Sequence, residues 1–401
     1  MIDAWTPGSP GGPGGPGAKA YLDTDRVSRL IADSEFDAVL AASPDNVTYL
    51  SGFYHPDLRT LPERLHLVIW PASGHPVFIV PRLRALHWMG QGDLSFIGPE
   101  DSRPLIADVR PYDGEGLQMV AVAAEVLKEM GVTSGALGVE LRNLPLKVSR
   151  ELTRLLPSVR QDDAWPLLDA MRAIKSPAEV AVMTQVNRAT AECLELVLAG
   201  VRPGDTELQI AGRLAQELWG RGANAFAHTT LATGPRSTAW HATPSSQRVE
   251  EGMLIRTDWG IRIDGYGSDI ARNAVVGRAS RAQKDRFDRV SDVHDVIVDA
   301  VRPGVLASDL SALARREYKR VGLDYHWGIV GHSIGLLGHE APQLLPDVHE
   351  PVLEGMTLEI ELGYFGDNEV YHIEDLVHVT SSGAVNLTQR LPGRSLIESG
   401  Y

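Results

Sequence analysis

The stretch Met253-Leu254-Ile255-Arg256-Thr257-Asp258-Trp259-Gly260-Ile261-Arg262-Ile263-Asp264-Gly265-Tyr266-Gly267-Ser268-Asp269-Ile270-Ala271-Arg272 decides the fold. Two β-patterned runs, Met253–Ile263 and Ser268–Val276, flank Asp264-Gly265, a dipeptide favoured in tight hairpins because the turn demands positive φ. A hairpin there sets Asp258 and Asp269 on neighbouring strands. The arrangement recurs with Glu361 in Ile360-Glu361-Leu362-Gly363 and Glu374 in His372-Ile373-Glu374-Asp375, around a turn at Gly366-Asp367-Asn368. Gly331-His332-Ser333-Ile334-Gly335 adds an imidazole. Taken singly, an Asp beside a turn is a capping residue and a Glu on an edge strand is solvated. Together and in this order, the five converge on one site. Four crowded carboxylates raise one another's pKa, a conflict that two divalent cations remove. Four carboxylates with one imidazole suit Mn²⁺, Fe²⁺, Co²⁺ or Zn²⁺ better than soft copper.

Working outward, the 401 residues exceed what one core usually serves, so two domains are expected. Apolar residues at 43% and charged residues at 22% are those of a soluble globular chain. A net charge of −14 argues against nucleic acid or an anionic membrane as partner, since both need a basic footprint. No apolar run reaches the roughly 20 residues of a membrane span. The single cysteine, Cys193, sits in an apolar helical pattern and reads as buried and inert. Met1 to Ala18, rich in Gly and Pro, reads as a disordered tail without a signal-peptide pattern, which makes a cytoplasmic protein the expectation.

Residues 19–165 alternate strand and helix patterns, which predicts an α/β domain built on an open mixed sheet. Val27–Ile31 and about Gly116–Met130 are helical in pattern. Phe36–Leu40, Leu65–Trp70, Val77–Val80 and Ala136–Glu140 read as strands, and Pro44-Asp45-Asn46 as a turn. Residues 166–401 form the second expected domain. Ser176-Pro177-Ala178-Glu179 carries the cap, proline and acid of a helix start, opening a helix to about Leu198. Leu198-Ala199-Gly200-Val201-Arg202-Pro203-Gly204 recurs as Asp299-Ala300-Val301-Arg302-Pro303-Gly304, each copy ending one helix and starting another, Glu207–Trp219 and Ser308–Val321. A repeat of about one hundred residues is too long for a solenoid and predicts two similar halves facing each other across a cleft.

On these residues the chain resembles the pita-bread metallopeptidases: prolidase, aminopeptidase P and, more distantly, methionine aminopeptidase. Asn46-Val47-Thr48-Tyr49-Leu50-Ser51-Gly52-Phe53 resembles the family's N-terminal-domain motif, and Met171-Arg172-Ala173-Ile174-Lys175-Ser176 its entry between domains. Asp258-Trp259-Gly260 with Gly265 to Arg272 is similar to the paired aspartate ligands. Gly331-His332 to His339-Glu340-Ala341-Pro342 is similar to the histidine ligand and a second histidine seven residues on, and Glu361 and Glu374 to the last two ligands.

The resemblance implies a creatinase/prolidase-like α/β domain followed by a pita-bread catalytic domain with a pseudo-twofold repeat. It implies two divalent metal ions, Mn²⁺ foremost with Co²⁺, Zn²⁺ or Fe²⁺ as alternatives, held by Asp258, Asp269, His332, Glu361 and Glu374. It implies an oxyanion role for His241, in Trp240-His241-Ala242-Thr243-Pro244, and for His339, with Glu361 moving the proton. His228, His326 and His372 are expected as cavity-wall residues that meet the substrate; His349 and His378 are read as structural or surface groups. The implied function is hydrolysis of a short peptide or amino-acid amide, of Xaa-Pro type, by a homodimer joined through the N-terminal domain; that residues 55–63 wall the partner's pocket is a separate expectation with no spacing argument behind it.

Three positions depart from the family pattern. Leu362 stands where the peptidases carry proline, and His372 where prolidase-type enzymes carry arginine. Glu359 shares a strand face with Glu361, either adding a carboxylate near the metals or reaching water. The departures keep two other readings open: the same metal site on a specialised non-peptide substrate, as amide hydrolase or lyase, and a metal-free peptide-binding module.

Overall fold

The computed structural model describes residues 21–55, 57–82, 84–85, 104–114, 117–366, 368–388 and 395–400; the expected tail and Asp367 of the second turn lie outside them. The chain divides into two units, Met1–Arg172 and Ala173–Tyr401. Among the described residues no helix is long and apolar enough to cross a membrane.

The first unit holds a six-stranded mixed sheet in the order β4-β3-β2-β1-β5-β6, with β1 Ala38–Ala41, β2 Leu67–Pro71, β3 Val77–Pro81, β4 Asp108–Tyr112, β5 Gly135–Val139 and β6 Val159–Asp163. β1 and β2 are antiparallel, while β1–β5 and β5–β6 are parallel. Pro44-Asp45-Asn46 is not a turn: Pro44–Ser51 is a helix. Ser43 caps it by accepting from the Asn46 N–H, Pro44 occupies the first turn where no N–H is needed, and Gly52 ends it at φ 67°. The same residue types that favour turns thus serve here as a helix start.

The second unit carries two sheets. One runs β16-β10-β8-β7, with the two-residue β9 Tyr266–Gly267 on β8; its strands are β7 Ala225–Thr233, β8 Leu254–Ile263, β10 Ile270–Val276 and β16 Ile397–Ser399. The other runs β12-β11-β13-β14-β15, from β11 Gly331–Ser333, β12 Glu340–Gln343, β13 Thr357–Gly366, β14 Glu369–Thr380 and β15 Gly383–Asn386. Each sheet has its helix pair: Pro177–Ala199 with Glu207–Gly220, and Arg281–Ala300 with Ala307–Arg320. The expected helix start at Ser176 is a capping box with Glu179. Cys193 is buried on that first helix, and burial pushes its thiol up to about 11.

The internal repeat extends to individual backbone hydrogen bonds. Gly204 N donates to Val249 O as Gly304 N does to Val352 O, and Gly252 N to Val276 O as Gly355 N does to Val379 O. The bridge between Thr206 and Arg248 is matched by that between Leu306 and Pro351. Such a match follows when two copies of one chain path are folded by the same turns, and chance recurrence of Val-Arg-Pro-Gly does not produce it.

Strand alternation then sorts the side chains. Leu358, Ile360 and Leu362 of β13, with Tyr371, Ile373 and Val377 of β14, pack in one core with Phe287, Val290, Val293 and Ile297 of the helix Arg281–Ala300. Side chains two residues apart share a face, so Glu359, Glu361, His372 and Glu374 turn the opposite way. Leu362 therefore belongs to the helix-facing core, and its departure from the family pattern bears on packing.

Candidate metal centre

Each predicted hairpin forms. Asp264 at φ 52° and Gly265 at φ 87° turn β8 towards β10, where Asp258 faces Ala271; Asp269 directly precedes β10. Glu361 and Glu374 are direct cross-strand partners. Asn273 ties the two sheets together, its Nδ2 donating to Val370 O and its Oδ1 accepting from the His372 N–H. That link brings the aspartates of one sheet to the glutamates of the other. All five expected ligands line one cavity of about 600 Å³ and are nearly or fully buried.

His332 Nε2 lies 3.8 Å from Asp269 Oδ2, 4.0 Å from Glu361 Oε1 and 3.7 Å from Glu374 Oε1. Its Nδ1 stands 3.1 Å from Ser333 O, a contact that, with the proton on Nδ1, leaves the Nε2 lone pair for a cation. His339 stacks on His332 with ring centroids 3.9 Å apart, and His241 joins it in lining the cavity. His241 holds φ 52°, a left-handed conformation that side chains rarely adopt and that marks the Trp240–Ala242 segment as constrained.

The three expected wall histidines part company. His228 lines the cavity, with Nε2 2.8 Å from Asp258 Oδ1 and 2.9 Å from Asp269 Oδ1. His372 is buried against Glu361, Nε2 to Oε2 3.4 Å. His326 is exposed and does not line the cavity. Glu359 does not reach water. It is fully buried opposite His332, and neither carboxylate oxygen has a hydrogen-bond partner.

Sequence reasoning missed the wall beside Glu361. Trp327 Nε1 donates to Glu361 Oε2 at 3.3 Å, and its ring lies 4.7 Å from that of Trp240 and 4.5 Å from that of His372. Arg256 is buried behind these rings, 5.5 Å from the Trp240 centroid and 5.4 Å from the Trp327 centroid, with Nη2 3.9 Å from Asp258 Oδ2. An arginine two residues before a ligand on the same strand face was the available signal.

The electrostatics fit cations. Burial opposes the ionisation of Asp258 and Glu361, but His228 beside Asp258, and His372 and His332 beside Glu361, hold both carboxyls below their usual range. Glu374 is pushed well above it, by burial first and then by Asp269, Glu361, Asp258 and Glu359; Glu359 is raised in the same way, chiefly by burial. Glu374 Oε2 also has no hydrogen-bond partner. Buried acids that ionise only at the expense of one another, with an oxygen left over, are a donor set suited to hard or borderline divalent ions. The donors gather as His228–Asp258–Asp269 and as His332–Glu361–Glu374, with Asp269, His332 and His339 also converging.

Residues 181–381 match the model of metallopeptidase family M24, and residues 24–174 that of the creatinase/prolidase N-terminal domain. The chain is 27% identical over 369 residues to the putative dipeptidase YkvY of Bacillus subtilis, covering 91% of this chain and 96% of that protein. It is 28% identical over 368 residues to a Xaa-Pro dipeptidase of Pyrococcus horikoshii, covering 91% and 96%. The crystal structure of dipeptidase PepE from Mycobacterium ulcerans superposes with a TM-score of 0.77 at 27% identity, over 95% of this chain and 98% of that one. A chain matched along nearly its whole length, with the family's fold and a converged acid–imidazole cavity, belongs to metallopeptidase family M24 and has its pita-bread architecture.

Proposed function

We propose that the chain hydrolyses short peptides of Xaa-Pro type with two divalent ions held by Asp258, Asp269, His332, Glu361 and Glu374. The observation that carries this reading is the convergence of two donor triads on one cavity, with Asp269 reaching both. When bound, such ions supply a hydroxide at neutral pH and polarise a carbonyl oxygen. The chain's own residues do the rest. Glu361 takes the proton of the attacking water and delivers it to the departing amine nitrogen, its Oε2 steadied by Trp327 and His372. His241 and His339 line the same cavity and donate to the carbonyl oxygen as it gains charge. A cavity of about 600 Å³ accommodates two or three residues, and the Trp240 face that lines it suits an apolar pyrrolidine ring.

A second reading assigns the same centre to a non-peptide amide or related substrate. His372 favours it, because an imidazole facing Glu361 lacks the forked guanidinium that the resemblance leads one to expect at this position for holding a peptide carboxylate. Turnover of Xaa-Pro dipeptides and Xaa-Pro-Xaa tripeptides by protein loaded with Mn²⁺ or Co²⁺ decides between them. Release of the N-terminal residue supports the first reading; metal bound without turnover supports the second.

A further inference from the structure

We propose that His228 is a sixth protein ligand of the metal centre, binding through Nε2 the ion held by Asp258 and Asp269. The inference rests on the two-ion reading above and goes beyond its five ligands. Three observations support it.

The first is the strand. β7 shifts register against β8 between Phe226, which faces Ile261, and His228, which faces Gly260. A bulge inserts a residue and re-aims the side chain that follows, so the alternation of β7 is broken where His228 turns towards the aspartates. The second is the space opposite. A Cβ at position 260 would lie 2.4 Å from His228 Cε1 and 2.6 Å from its Nδ1. Only glycine at 260 leaves room for the ring where it stands. The third is the donor geometry. His228 Nε2, Asp258 Oδ1 and Asp269 Oδ1 are separated by 2.8 Å and 2.9 Å along the two nitrogen–oxygen edges. Ligands about 2.1 Å from one ion and at right angles to each other stand roughly 3 Å apart, so this spacing is that of neighbouring corners around a single cation.

The assignment gives each ion one imidazole, His228 on the aspartate side and His332 on the glutamate side. Nitrogen in both donor sets moves the preference from Mn²⁺ towards Co²⁺, Fe²⁺ or Zn²⁺.

The test uses the full chain as wild type, His228→Ala and His228→Gln. Glutamine keeps an N–H for the aspartates, so it holds the fold if hydrogen bonding is all that His228 supplies. Metal content is measured by equilibrium dialysis with elemental analysis, and nitrogen coordination by pulsed electron paramagnetic resonance of the Mn²⁺-loaded protein. Two ions in the wild type, a second ion at least tenfold weaker in both folded variants, and loss of one of two nitrogen couplings are expected. Wild-type stoichiometry and unchanged couplings in either folded variant would overturn the ligand role and leave His228 a hydrogen-bonding neighbour. A wild type that binds fewer than two ions would instead overturn the two-ion reading.

Discussion

Replacing Glu359 by glutamine tests whether the buried acid face governs stability. Glu359 is fully buried, neither of its oxygens has a hydrogen-bond partner, and burial together with Asp269 and Asp375 raises its carboxyl well above the ordinary 4.5. A carboxyl whose folded pKa exceeds its unfolded value contributes stability that is fully present below the unfolded value. That contribution is lost as pH rises to the folded one. Each pH unit in that window removes about 1.4 kcal/mol. Measured from pH 5.5 to 7.5, the chelator-treated wild type therefore loses stability through this one group as pH rises. Glutamine cannot ionise and removes that loss. For a unit of this size each 1.4 kcal/mol of gap corresponds to roughly 3–6 °C in melting temperature, and the gap grows from pH 5.5 towards pH 7.5. Glu374 titrates in the same direction in both proteins, and its own relief on losing Glu359 widens the gap. Thermal melts of the two metal-free proteins across this range are the assay. Parallel curves, with the same gap at both ends, would refute the reasoning.

Other substitutions probe other parts of the account. Gly363→Ala places a Cβ 2.1 Å from Trp327 Cε3, so the indole must leave Glu361; a loss of about 1–3 kcal/mol and a shift in tryptophan emission are expected, seen by urea unfolding and fluorescence. Lys175 pairs with Glu340 at 2.7 Å with both side chains buried, so Lys175→Met, which removes the cation facing a buried carboxylate, destabilises by about 3–5 kcal/mol in the same unfolding assay. His241→Ala lowers turnover by about tenfold or more while metal content stays at the wild-type level; elemental analysis showing lost metal would refute its assigned place outside the ligand set.

What could be read in the letters was what strands and turns encode locally. Asp264-Gly265 fixes a hairpin by its own turn chemistry, and the period of two then says which acids share a face. Glu359 was legible as a neighbour of Glu361, but whether it met water depended on packing that alternation does not describe. His228 was expected on the cavity wall, but its turn towards the two aspartates lay beyond pattern reading, because the bulge before it breaks the period that would have aimed it. The wall of Trp240, Arg256 and Trp327 joins residues distant in the chain, which no local spacing reveals. In the first unit, β4 and β6 carry Asp-Val-Arg-Pro-Tyr and Val-Arg-Gln-Asp-Asp and lack a clear apolar run. Both are edge strands, where proline and charge are tolerated and guard against pairing with other chains, so the usual strand signal is weakened.

The central claim is that buried acids of two sheets are neutralised by a pair of divalent ions. Anomalous scattering from crystals of the metal-loaded protein tests it most directly. Two peaks about 3.5–4 Å apart, one beside Asp258 and one beside His332 with Asp269 between them, are the predicted result. A single peak, or none while the same acids stay buried and folded, would contradict it.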